Sequence, residues 1–126
     1  MRAIDTKVLV RILTRDDPSQ VEAAESFIEP GTWVSTVVLL ETVWILGSTY
    51  RQDASAIARA VSMLLNHEQL VLQDSDAVSA ALDLFRERPS LGFADCLILA
   101  LARKAGHLPL GTFDRKLAKL PGAQRL

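Results

Sequence analysis

The sequence predicts an α/β protein, a parallel β-sheet flanked by helices on both faces, and three observations carry that prediction. Stretches with helical apolar spacing alternate with short β-prone runs, the connections between them are brief, and no internal repeat or low-complexity linker intervenes. The chain has 126 residues, 49% hydrophobic and 23% charged, with a formal net charge of -1. This composition suits a single domain spanning residues 1–126 and excludes a disordered chain. The balance of charge gives no bulk attraction for nucleic acid, so any such binding must rest on local patches.

The elements follow in order. Arg2 to Thr6 reads as a short strand, and Val8, Leu9, Val10, Ile12 and Leu13 then form a short helix. Asp17-Pro18-Ser19-Gln20 opens a second helix. Asp17 caps it, Pro18 suits its first position and Gln20 closes a capping box. Pro30-Gly31 stops it, Thr32 to Ser35 favour an extended strand, and Val37 to Leu46 is long enough for a buried helix ending near Gly47. Ile57, Val61, Leu64 and Leu65 give helical spacing to Ala54–Leu65, and Leu70-Val71-Leu72 is strand-like. A helix starting at Asp74 or Ser75 carries Val78, Ala81, Leu82 and Phe85 on its apolar face, and Arg86 to Ser90 breaks it. Phe93 to Ala102 is another buried helix, closed by Lys104 and Gly106. Leu108 to Thr112 is the last strand, weakened by Pro109.

Sites in open parallel sheets lie beyond the carboxyl ends of the strands, which directs attention to acids in those places. Asp5 follows the first strand and reads equally as a cleft-facing ligand and as a helix cap. Glu41 lies between Val37-Val38-Leu39-Leu40 and Val43-Trp44-Ile45-Leu46. A lone carboxylate in a buried helix needs a compensating partner, the alternative being one narrow solvent-facing stripe. Asp95 is the sole charge from Phe93 to Ala102, and serves either a site or the positive end of its helix. Asp114 follows Leu110 to Phe113 and also fits as a cap for the segment holding Leu117 and Leu120. Taken as a set, four such acids point to convergence. Carboxylates brought within a few ångströms repel unless divalent cations neutralise them, and oxygen-only ligands favour magnesium or manganese. Such ions support phosphodiester hydrolysis by a metal-activated water, with no covalent nucleophile.

Ile4-Asp5-Thr6-Lys7-Val8-Leu9-Val10, Leu39-Leu40-Glu41-Thr42-Val43-Trp44, Phe93-Ala94-Asp95-Cys96-Leu97-Ile98 and Thr112-Phe113-Asp114-Arg115 together resemble the PIN-domain nucleases, and among them the VapC toxins of VapBC toxin–antitoxin systems. The resemblance spans nearly the whole chain. It implies a PIN-like α/β/α sandwich, with Asp5, Glu41, Asp95 and Asp114 as catalytic acids binding Mg2+ or Mn2+, and selective cleavage of RNA. It also implies inhibition by a cognate VapB-like antitoxin, and a homodimer. Lys7 departs from the family's usual asparagine, and Gly92 stands where many relatives carry an acid one turn before the position of Asp95. Thr112 matches a polar position often found near the fourth acid.

Other readings fit less well. A haloacid-dehalogenase-like phosphatase wants a second acid two residues after the first, where Lys7 stands. A phosphoacceptor signalling domain leaves Glu41 unexplained. A catalytically weak PIN-like domain that binds RNA or protein is the alternative from another class. His67 and His107 lack companion ligands for zinc, and Trp33 and Trp44 read as packing residues. Cys96 is the only cysteine, so no intramolecular disulfide forms and a reducing compartment is expected. The start of the chain lacks the pattern of a signal peptide, and no apolar run approaches the roughly 20 residues of a membrane span. A cytoplasmic protein without membrane association is therefore expected.

Overall fold

Parallel strands and six α-helices alternate along the chain, as the α/β reading requires. The computed structural model describes all 126 residues, which divide into two compact units, Met1–Ser75 and Asp76–Leu126.

In the first unit, β1 (Arg2–Ala3) leads into α1 (Thr6–Thr14) and α2 (Pro18–Ile28), followed by β2 (Thr32–Val34), α3 (Thr36–Ser48), α4 (Ala54–Leu65) and β3 (Leu70–Leu72). The strands form a parallel sheet in the order β1-β2-β3, with Trp33 opposite both Ala3 and Val71. Side-chain caps start the helices where polar residues meet apolar runs. Asp17 accepts a hydrogen bond from the Gln20 backbone, Ser35 from Val38 and Asp53 from Ala56. The expected capping box at Asp17 does not close, because the Gln20 Oε1 instead accepts a 2.6 Å hydrogen bond from Arg11 Nε. Leu9, Val34, Leu39, Leu46, Val61 and Leu64 are fully buried. Each such side chain contributes roughly 1.5–3 kcal/mol of apolar burial.

α3 corrects the expectation of a buried helix. It buries Leu39, Thr42 and Leu46, while Glu41 faces solvent in one stripe with Val37 and Trp44, which are 64% and 70% exposed. Its composition conceals this asymmetry, since apolar residues occur on every side. Trp44 is consequently no packing residue, and Trp33 too retains 38% exposure.

The second unit is made by α5 (Ser75–Glu87), α6 (Phe93–Ala105), β4 (Leu110–Thr112) and β5 (Ala123–Arg125). Val78, Ala81, Leu82 and Phe85 are the buried face of α5, as their spacing predicts. Phe85 meets Phe93 edge to face, with ring centroids 5.9 Å apart. Pro89–Leu91 form a short 3-10 turn before α6, which ends at Gly106 in the left-handed conformation. β4 pairs in parallel with β5, a strand that the sequence does not announce. No helix is long and apolar enough to cross a membrane.

Candidate active site

Each of the four acids occupies a local setting fixed by its own segment. Asp5 stands after β1 as the N-cap of α1, where Oδ1 accepts a hydrogen bond from the Val8 backbone at 3.3 Å. Capping uses only one carboxylate oxygen, so it leaves the other available to a ligand. Asp5 also lines a cleft of about 630 Å³ together with Lys7, Arg11, Gln20 and Phe27. Arg11 is held there by Gln20 and by Tyr50, whose hydroxyl it meets at 3.3 Å. Glu41 projects from the exposed stripe of α3, so burial does not explain it as the sequence suggested.

Asp95 lies in the first turn of α6 and is half-buried, whereas Asp114 is exposed just after β4. Burial pushes the Asp95 carboxyl above the ordinary carboxylate range, and the negative charge of Asp114 pushes it in the same direction. These two acids are therefore brought into electrostatic reach of one another. The segment bearing Asp114 is tightly defined. Thr112 Oγ1 accepts from the Asp114 backbone at 3.0 Å, and Asp114 Oδ1 accepts from the backbones of Lys116 and Leu117 at 2.8 and 3.0 Å. The expected cap is thus real, and Thr112 is the residue that orients it. No three or more His, Cys, Asp or Glu side chains are grouped closely enough to hold a metal ion.

The departure at Gly92 coincides with a backbone conformation that favours glycine. Gly92 has φ +81°, ψ 145°, at the start of α6, a region that L side chains rarely adopt. A Cβ there would meet nothing within 4 Å. An acid at this turn would have the space but would strain the backbone as it stands.

The PIN domain family model matches residues 3–123. The chain belongs to the PIN domain family. Over 126 aligned residues this PIN domain is 29% identical to a protein named VapC ribonuclease from Aquifex aeolicus (strain VF5). The alignment covers 95% of this chain and 92% of that protein. No solved structure gives a significant match.

The donor chemistry of the PIN domain suits a hard divalent cation. Asp95 and Asp114 offer only oxygen, and their mutual repulsion is the kind of field that a cation relieves. One feature beside them is invisible in the sequence pattern: Phe113, whose ring is 81% exposed. It stands just past the end of β4, at the turn that Asp114 closes.

Proposed function

We propose that this PIN domain is a divalent-metal-dependent endoribonuclease, the toxin of a type II toxin–antitoxin pair, acting as one domain over residues 1–126. The observation that carries the reading is the Asp95–Asp114 pair, two oxygen-only acids whose negative charges reinforce one another. Asp95 and Asp114 are assigned as ligands on that ground, and Asp5 and Glu41 on the family pattern of their motifs. Hard oxygen donors select Mg2+ or Mn2+. When bound, such a cation supplies a water of lowered pKa and positive charge opposite the phosphate oxygens. Thr112 holds Asp114 in orientation through the backbone bond described above. Arg115 and Lys116, both exposed, offer charge to flanking phosphates.

The relative's name, VapC ribonuclease, supports RNA as the substrate and a VapB-like antitoxin as the partner. The exposed Val37 and Trp44 lie on one stripe of α3 and offer an apolar surface to a protein partner, either that antitoxin or a second copy in a homodimer. A cytoplasmic setting agrees with the lone Cys96.

The test compares the purified chain with Asp95→Asn on a mixed structured RNA pool, with Mg2+ or Mn2+ and with chelator. Cutting that requires metal and disappears in Asp95→Asn is the expected result. Equal cutting by both proteins would remove Asp95 from the chemistry. Absence of both cutting and metal binding would favour a PIN-like domain that works by binding alone.

A further inference from the structure

We propose that Phe113 is a stacking platform for one unpaired nucleobase of the RNA, seated next to the acid pair, an inference that rests on the ribonuclease reading. A phenyl ring 81% exposed is uncommon in a turn as ordered as this one. The hydrogen bonds that Thr112 Oγ1 and Asp114 Oδ1 accept fix the backbone on the C-terminal side of Phe113, and the β4–β5 pairing of Thr112 with Arg125 fixes it on the other. The backbone beneath the ring is therefore fixed, and only the ring's own two side-chain torsions remain to be ordered when a flat partner covers it. Pre-organisation of this kind strengthens binding.

The surroundings select a nucleic acid over a protein. Phe113 has Thr112 and Asp114 as immediate neighbours, followed in the chain by exposed Arg115 and Lys116, and the only exposed apolar side chain tied to its strand end is Leu126, whose backbone donates to Thr112, so the apolar face is small and cationic residues follow it directly. An apolar protein segment would need a broad patch, whereas a single-stranded nucleotide needs one aromatic face for the base and one cation for the phosphate. Asp114 follows Phe113 directly, so a base resting on the ring brings its own phosphodiester close to the acid pair. Phe113 thus selects unpaired RNA and sets the register of the scissile bond relative to that base.

The experiment measures binding without cleavage, using the full chain carrying Asp95→Asn in Mg2+ and a labelled, unstructured RNA dodecamer pool of random sequence. A companion series carries one abasic ribose at each successive position. Phe113→Ala should weaken binding about tenfold or more, while Phe113→Tyr should stay within about twofold of the parent. One abasic position should reproduce the loss in the parent and add nothing to Phe113→Ala, as expected of two halves of one contact. The melting temperature should not move, because the ring packs against little.

Equal RNA affinity in Phe113→Ala, with parent binding intact, overturns the stacking role and leaves the ribonuclease reading standing. Unchanged affinity together with a shift in sedimentation assigns the ring to a protein contact and likewise overturns it. No binding of the unstructured pool by the parent overturns the stacking platform, and the ribonuclease reading then stands or falls on the cleavage test with structured RNA.

Discussion

Replacing Asp5 separates two roles that one carboxylate can fill. As a cap it accepts a single hydrogen bond, from the Val8 backbone at 3.3 Å, long for an N–H···O contact and exposed to water. Loss of an N-cap side chain costs about 0.5–2 kcal/mol, and this geometry belongs in the lower half, about 0.5–1 kcal/mol. Unfolding entropy near 60 °C is about 2.1 cal/mol/K per residue, or roughly 0.26 kcal/mol/K for 126 residues. Asp5→Ala should therefore lower the melting temperature by about 2–4 °C. Asn caps a helix as well as Asp does, so Asp5→Asn should leave the melting temperature within about 1 °C of the parent. As a metal ligand, however, Asp5 cannot be replaced by a neutral amide without loss. Metal-dependent cleavage should fall at least about 100-fold in both variants, beyond what supporting residues around a metal usually cost. The assay pairs thermal melts with initial rates on RNA at fixed Mg2+. Asp5→Asn that cuts RNA at the parental rate would reduce Asp5 to a cap. Asp5→Asn that melts as early as Asp5→Ala would refute the account of the cap.

Two further outcomes follow from the ionisable groups of the second unit. The Asp95 carboxyl is raised by burial and by Asp114, so the folded chain holds that proton more tightly than the unfolded one. The stability this gives is fully present below the unfolded value of about 4 and lost as pH rises through the raised folded value. In chelator, Asp95→Asn should thus be the more stable protein at pH 7, and the gap should close as pH falls toward 4; a variant that melts earlier at pH 7 would contradict the cause assigned. Burial, and secondarily the charge of Asp95, pushes the Cys96 thiol up to about 11, and the residue is fully buried. An aromatic disulfide reagent at pH 8 should therefore react more than about 100-fold faster in denaturant than with the folded chain. Comparable rates would mean that α6 opens readily.

Amphipathic elements were legible because their sequences contain the answer. α5 shows a clean apolar face at Val78, Ala81, Leu82 and Phe85, and Asp17-Pro18 marks the start of α2. Asp5, Asp95 and Asp114 were legible as acids at element boundaries, and two of them proved to be caps as well. What escaped reading depends on contacts remote in sequence. Gln20 turned from its own helix end to Arg11, nine residues earlier, and Ala123–Arg125 became a strand only by pairing with Leu110–Thr112. The sequence left Glu41 between a buried helix and a solvent-facing stripe, because a helix rich in apolar residues on every side gives no indication of which side meets water, and the structure places it on the stripe. A chain with 49% hydrophobic residues must leave some of them outside, and Trp44 and Phe113 are among those left.

The apolar surround of α3 also bears on how its orientation is chosen. Turning the helix by one residue, about 100°, would exchange Leu39, Thr42 and Leu46 for Leu40, Val43 and Gly47, replacing a hydroxyl by a methyl and giving up one leucine side chain. Apolar content therefore favours the observed rotation by little more than the Leu46 side chain. Polar anchors at its first turn add to that preference, where Ser35 accepts from Val38 and Gln73 Oε1 accepts from both the backbone and the hydroxyl of Thr36, at 3.0 and 3.3 Å. A few hydrogen bonds supplied by the ends of β2 and β3 thus act as an index pin for a helix whose Glu41 faces solvent.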